Sequence, residues 1–161
     1  MPRVYLSIGS NIDREKNIRG ALQELDSEFG PLTCSNVYET EAIGFEGDAF
    51  YNLVVGFDSD KTVDALKAEF DRIEKRYGRT AESRRFAPRT LDLDLLLYGD
   101  MVDTSGKHDI PRKEISEYAF VLLPLSEIAA DLAHPETGEH FADMWSRFPK
   151  DQRLSKIEWI F

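Results

Sequence analysis

From Leu91 to Leu95 the chain alternates Leu, Asp, Leu, Asp, Leu, then runs through Leu96, Leu97 and Tyr98 into a Gly99-Asp100 turn. Successive side chains of a strand face opposite ways, so the pattern demands a strand over residues 91–98, with leucines in a core and both carboxylates on the other face. Such a strand needs partners. Residues 4–8, 33–39 and 50–57 supply apolar runs of strand length. Two intervening segments have helical spacing instead. Ile18, Ala21, Leu22, Leu25 and Phe29 share one face and stop at Gly30-Pro31. Val63, Leu66, Phe70, Ile73 and Tyr77 share another, in a helix opened at Asp60 and stopped by Gly78. Loops take residues 40–49 and 79–90. The order β-α-β-β-α-β predicts an α+β, ferredoxin-like core: an antiparallel sheet with helices packed on it.

After the Gly99-Asp100 turn comes a C-terminal extension. It holds a connection through Pro111, a mixed segment over 115–132, a helix over 141–148 and a strand over 155–160. No repeat or low-complexity linker divides the chain. Its 161 residues, read as one domain over 1–161, are 42% apolar, enough for a real core.

The formal net charge is -10, which argues against a general nucleic-acid or membrane-surface binder, since phosphate-rich partners would be repelled. Cys34 is alone, so it can form no intramolecular disulfide or cysteine metal site, and it reads as a small core residue. No basic leader precedes an apolar stretch, and no run of eighteen apolar residues occurs. A cytoplasmic monomer acting on small molecules is the expectation. His108, His134 and His140 lack paired ligand spacing and read as surface or capping residues. Trp145 and Trp159 read as packing for the extension.

Against this acidic background, residues 72–89 hold seven cations: Arg72, Lys75, Arg76, Arg79, Arg84, Arg85 and Arg89. Only Glu74 and Glu82 oppose them, a local surplus of five positive charges. The basic segment ends at Asp92 and Asp94. Paired carboxylates on a rigid strand suit Mg²⁺, which takes hard oxygen ligands and keeps phosphate oxygens and waters in its other positions. Arginine forks match phosphate oxygens, and Pro88 stiffens the loop just before Arg89. A half-exposed strand beside a salt-bridge network would produce part of this pattern, but it would not require an aromatic and a proline between the arginines. No glycine-rich phosphate loop or protein-kinase motif set is present. Phosphate binding must therefore come from arginines and metal.

The run R-F-A-P-R-T-L-D-L-D-L-L-L-Y-G, preceded by I-E-K-R-Y-G-R, resembles the signature of the 6-hydroxymethyl-7,8-dihydropterin pyrophosphokinase family of folate biosynthesis. So do Y-L-S-I-G-S-N, Y-E-T-x-x-I-G, F-Y-N and F-V-L-L-P-L-S-E-I-A, in the same order, over about residues 5–132. The resemblance implies transfer of pyrophosphate from ATP to the hydroxymethyl group of a dihydropterin, releasing AMP. It implies two Mg²⁺ ions on Asp92 and Asp94, with Arg79 and Arg89 steadying charge on the phosphates. ATP would also meet Glu74, Arg85, the Leu95 backbone, Lys107 and Arg112. The pterin would lie between Phe50 and Phe120, be read by Thr40 and Asn52, and be walled by Ile43, Gly44 and Phe86. The sequence departs from the family's common residues at Glu41-Ala42, Ala81, Phe86, Lys107, Arg112 and Tyr118. A paralogue acting on a modified pterin is one alternative. A nucleotidyltransferase or cyclase-like enzyme on the same sheet is another, and a ferredoxin-like RNA-binding module a third.

Overall fold

The computed structural model describes residues 1–41, 49–78 and 91–158. Strand β1 (Arg3–Ser10) leads through a tight turn into helix α1 (Arg14–Phe29), which ends at Gly30 with φ 85°. Strands β2 (Thr33–Cys34), β3 (Val37–Thr40) and β4 (Phe50–Asp58) precede helix α2 (Val63–Arg76) and strand β5 (Asp92–Tyr98). The C-terminal part supplies α3 (Glu114–Glu117), α4 (Ala119–Ile128), α5 (Phe141–Arg147) and β6 (Ser155–Ile157). The strands make one antiparallel sheet in the order β5-β1-β4-β3-β6, with β2 also on β4. The first and third strands of the βαββαβ unit, β1 and β4, lie next to each other at its centre, an order compatible with the ferredoxin-like expectation.

Both faces of the sheet are covered. Ile18, Ala21, Leu22 and Leu25 of α1 and Val63, Leu66, Phe70 and Ile73 of α2 bury against Leu6, Ile8, Leu53, Val55, Phe57, Leu93 and Leu95. On the other face Tyr5, Val54, Leu96 and Leu97 meet Ile115, Val121, Leu122, Leu125, Phe141 and Met144. The extension is thus a layer of its own, over part of that face. This explains why the apolar runs of β1 and β4 are nearly continuous rather than alternating: every residue from Val4 to Ser10 and from Asn52 to Phe57 is buried.

Element boundaries shift where side chains compete with the backbone. The expected strand over 33–39 is two strands. Ser35 breaks it, because its Oγ accepts the Val54 N–H at 2.9 Å and donates to Asn36 O at 2.8 Å. Helix α2 starts later than Asp60, at the N-cap Thr62, whose Oγ1 accepts the Ala65 N–H at 3.2 Å. The mixed segment resolves into α3 and α4, apolar nearly all round because α4 is enclosed between the sheet and α5. Tyr77 stands over Gly20, so that α1 and α2 approach closely just before Gly78. No helix among the described residues is long and apolar enough to cross a membrane.

Candidate active site

Register assembles the site on the face of the sheet that the C-terminal layer covers only in part. Gly9 of β1 pairs with Asp92 on one side and Asn52 on the other, and Asn52 pairs with Tyr38. Directly opposed residues share a face, so Asp92 and Asn52 flank the bare backbone of Gly9. One step along, Ser7 pairs with Asp94 and Val54. Asp92 and Asp94 are both half-buried and project together, while Leu91, Leu93 and Leu95 are buried on the opposite face. The alternation in the sequence is therefore realised as expected.

Glu74 comes from the last turn of α2. Its buried carboxylate accepts the Leu93 N–H at 2.7 Å, between the two aspartates along the chain. That bond occupies the outer edge of β5, and Leu95 lies two residues further along the same edge. Arg112 follows the cis Ile110–Pro111 bond and donates its backbone N–H to Leu96 O at 3.0 Å. Its guanidinium stands 3.6 Å from the Asp94 carboxylate and also pairs with Glu114. Lys107 is placed elsewhere. Its ammonium is exposed, 4.0 Å from Asp64 in the first turn of α2, and ten residues of helix, about 15 Å, separate Asp64 from Glu74.

Beyond Gly9, the Asn52 amide donates to Thr40 Oγ1 at 3.0 Å, and Thr40 pairs with Phe50 across the β3–β4 ribbon. Phe120, in the first turn of α4, is half-buried and stacks on Tyr118 with centroids 5.1 Å apart. A carboxylate pair, an arginine, a polar hydrogen-bonded pair and two half-buried aromatics thus share one face.

The model of the 7,8-dihydro-6-hydroxymethylpterin-pyrophosphokinase family matches residues 5–130. The chain belongs to that family. The pyrophosphokinase assignment agrees with several relatives. The 2-amino-4-hydroxy-6-hydroxymethyldihydropteridine pyrophosphokinase of Aquifex aeolicus is 34% identical over 137 residues, 84% of this chain and 85% of the relative. The folic acid synthesis protein fol1 of Pneumocystis carinii is 35% identical over 147 residues; the match covers 89% of this chain but only 20% of that longer protein. A crystal structure of Plasmodium falciparum HPPK-DHPS has a TM-score of 0.69 at 13% identity, covering 92% of this chain and 44% of its own, and supports the fold.

Of the residues expected at a pyrophosphokinase site, Ile43, Gly44, Arg79, Arg85, Phe86 and Arg89 lie outside the described residues. Two positions emerge only from the structure. Gly9 reads in sequence as part of a Gly-Ser-Asn turn, yet it lies within β1, where a Cβ would come 2.8 Å from Asn52 Oδ1; an isolated glycine in a strand pattern is the signal that marks such a close approach. Arg14, at the start of α1, braces the back of the β3–β4 ribbon. Its guanidinium donates to Glu39 at 2.8 Å and Ala49 O at 2.9 Å and covers the Tyr51 ring at 3.9 Å.

Proposed function

We propose that the chain, as a pyrophosphokinase-family enzyme, transfers the terminal diphosphoryl group of ATP to the hydroxymethyl oxygen of 6-hydroxymethyl-7,8-dihydropterin. The oxygen attacks the β-phosphorus, the bond from that phosphorus to the α–β bridging oxygen breaks, and AMP leaves as the hydroxymethyl group loses its proton. The observation that carries this reading is the row Asp92–Gly9–Asn52. It puts Asp92, with Asp94 two residues along, and the hydrogen-bonded Asn52–Thr40 pair on one face, on either side of the bare Gly9.

Asp92 and Asp94 fit Mg²⁺ by the chemistry of the donor set. Among the described residues no cluster of three or more metal-ligating side chains exists, so two carboxylates would leave most positions to phosphate oxygens and water, as Mg²⁺ prefers. Two ions are the expectation here; bound Mg²⁺ would neutralise phosphate charge. Arg112, beside Asp94, offers a guanidinium to the same phosphates. Arg79, Arg85 and Arg89 would supply the remaining positive charge, with Arg79 and Arg89 steadying the transferring group. Glu74 and the Leu95 backbone would meet the nucleotide along the β5 edge, and Lys107 would meet its far side. Thr40 and Asn52 would read the pterin amide edge, with Phe50 and Phe120 on the ring faces and Ile43, Gly44 and Phe86 closing the wall.

Incubation with ATP, Mg²⁺ and the dihydropterin, followed by phosphorus NMR, tests this directly. AMP and a pterin diphosphate are expected, and chelation by EDTA stops their formation. Release of pyrophosphate without a pterin product would replace this reading with nucleotidyl transfer.

A further inference from the structure

Helix α4 begins without the usual means of holding its first turn. Tyr118 occupies the N-cap in an extended conformation and contributes no side-chain cap. Pro124 lies inside the helix and has no N–H to give the Phe120 carbonyl four residues earlier. In the turn that carries Phe120 the Tyr118 carbonyl accepts the Val121 and Leu122 N–H groups at 3.1 and 3.0 Å, but the Ala119 N–H has no partner within the helix and the Phe120 carbonyl lacks the Pro124 donor. The missing cap comes from far along the chain. The Gln152 side chain accepts the Ala119 N–H at 2.7 Å and donates to Glu117 O at 2.9 Å. One planar amide thus clamps the break between α3 and α4, on both sides of Tyr118 and one residue before Phe120.

The segment after Gln152 is anchored as well. Ser155, Lys156 and Ile157 pair with Glu39, Tyr38 and Val37 of β3, the strand that ends at Thr40. Residues 152–157 therefore span from the helix that carries Phe120 to the strand that carries Thr40, and they lie beyond the residues matched by the family model. At the other end of α4, Glu127 accepts from Asn36 and from the Tyr38 hydroxyl, fixing the distal part of the same helix to the same strand. With that end held, the start of α4 is left to the Gln152 clamp and to the stacking of Phe120 on Tyr118.

We propose that Gln152 is a positioning residue for the pterin site: by capping α4 it sets the height and tilt of Phe120 over the ring. The inference rests on the reading of Phe120 as a ring-stacking wall. Gln152 bonds Ala119 and Glu117 and makes no bond to Asp92, Asp94 or Arg112, so its removal should weaken pterin binding well before nucleotide binding.

The test uses the full chain with Gln152→Ala, Gln152→Glu and, as a control, Phe120→Ala. Gln152→Ala should raise the pterin KM roughly five- to tenfold, the scale of losing two neutral hydrogen bonds, with kcat and the ATP KM within about twofold. Gln152→Glu keeps the acceptor for Ala119 but loses the donor to Glu117, so its pterin KM should fall between wild type and Gln152→Ala. Amide hydrogen exchange at residues 119–122 should quicken in Gln152→Ala while the sheet amides stay protected. An unchanged pterin KM in Gln152→Ala, with Phe120→Ala raising it, overturns the proposal and leaves the pterin reading intact. An unchanged KM in Phe120→Ala removes the pterin reading of that residue, and the proposal with it. A parallel rise in the ATP KM would mean general loosening and also overturns it.

Discussion

Asp94 separates the functional from the structural part of the site most cleanly. Its side chain is 44% exposed and faces Arg112 at 3.6 Å, and a pair so open to water contributes at most about 1 kcal/mol. Asp94→Ala should therefore lower turnover at least a hundredfold, the scale typical of lost transition-state charge stabilisation, with a thermal midpoint close to wild type. AMP formation and a melting curve check the two halves; near-normal turnover would remove Asp94 from the metal site. His134 shows the opposite balance, a structural residue with a pH signature. It is buried, and its Nδ1 accepts the Glu136 and Thr137 N–H groups at 3.1 and 3.4 Å. Burial holds its pKa below the ordinary 6.5, with Glu136 and Glu139 pulling weakly upward. The unfolded chain then takes up a proton near pH 6.5 that the folded chain resists, so stability falls as pH drops below that value and levels off under the depressed folded pKa. Between pH 7.5 and 5.5 the wild-type midpoint should drop more than that of His134→Asn, whose amide oxygen still accepts. Equal drops would show that His134 is not the titrating group.

The seam between α1 and α2 supplies the test for elements. A Cβ on Gly20 would lie 2.6 Å from Tyr77 Cζ, so the ring would have to move. Overpacking of this kind costs about 1–3 kcal/mol, against about 1 kcal/mol gained by replacing a helical glycine with alanine. Gly20→Ala should therefore destabilise by about 1 kcal/mol in the wild-type background and stabilise when Tyr77→Ala has removed the ring. Chemical denaturation of the four proteins in that cycle gives the answer, and a destabilising Gly20→Ala in both backgrounds would discount the seam. The helix spacing of both partners is plain in the sequence, but the meeting of Gly20 and Tyr77 is not, because nothing local relates residues 57 positions apart. The same division runs through the site. Asp92 and Asp94 are legible because the two-residue period fixes their common face. The bond from Glu74 to Leu93 is a tertiary contact, and Glu74 enters the sequence reading only by resemblance. Gly9 reads as a turn because Gly-Ser-Asn is turn chemistry; pairing to strands on both sides carries β1 through it. Phe120 sits in an apolar run with no clear period, since α4 is enclosed on nearly every side. The cap on α4 was invisible for another reason: Gln152 lies 33 residues beyond its partner Ala119, in a polar tail with no pattern of its own.

At the scale of the molecule, the central question is whether the two helical layers are one cooperative unit or two. The strands β1 and β4 bury side chains into both layers along nearly their whole length. Neither face can be uncovered without exposing a strand that the other face depends on, so a state with only α1 and α2 in place would leave Tyr5, Val54, Leu96 and Leu97 against water. One all-or-none transition follows. Phe141 makes the test sharp, because it is fully buried in the C-terminal layer and touches that face alone. Phe141→Ala should cost about 3–5 kcal/mol, and the loss should move the whole transition. Trp145 packs in the C-terminal layer and is its sole tryptophan reporter in a Trp159→Phe background, whereas the long helices α1 and α2 contribute strongly to far-ultraviolet circular dichroism. Tryptophan fluorescence and circular dichroism should therefore trace coincident urea curves in that background, and coincident curves at a lower midpoint when Phe141→Ala is added. If fluorescence moved first and circular dichroism kept its original midpoint, the C-terminal layer would be a separable unit. Phe120 and its cap would then be free to detach from the row that holds Asp92 and Asn52. Coincidence means the reverse: the wall carried by α4 and the carboxylates carried by β5 are kept in register by the same global stability.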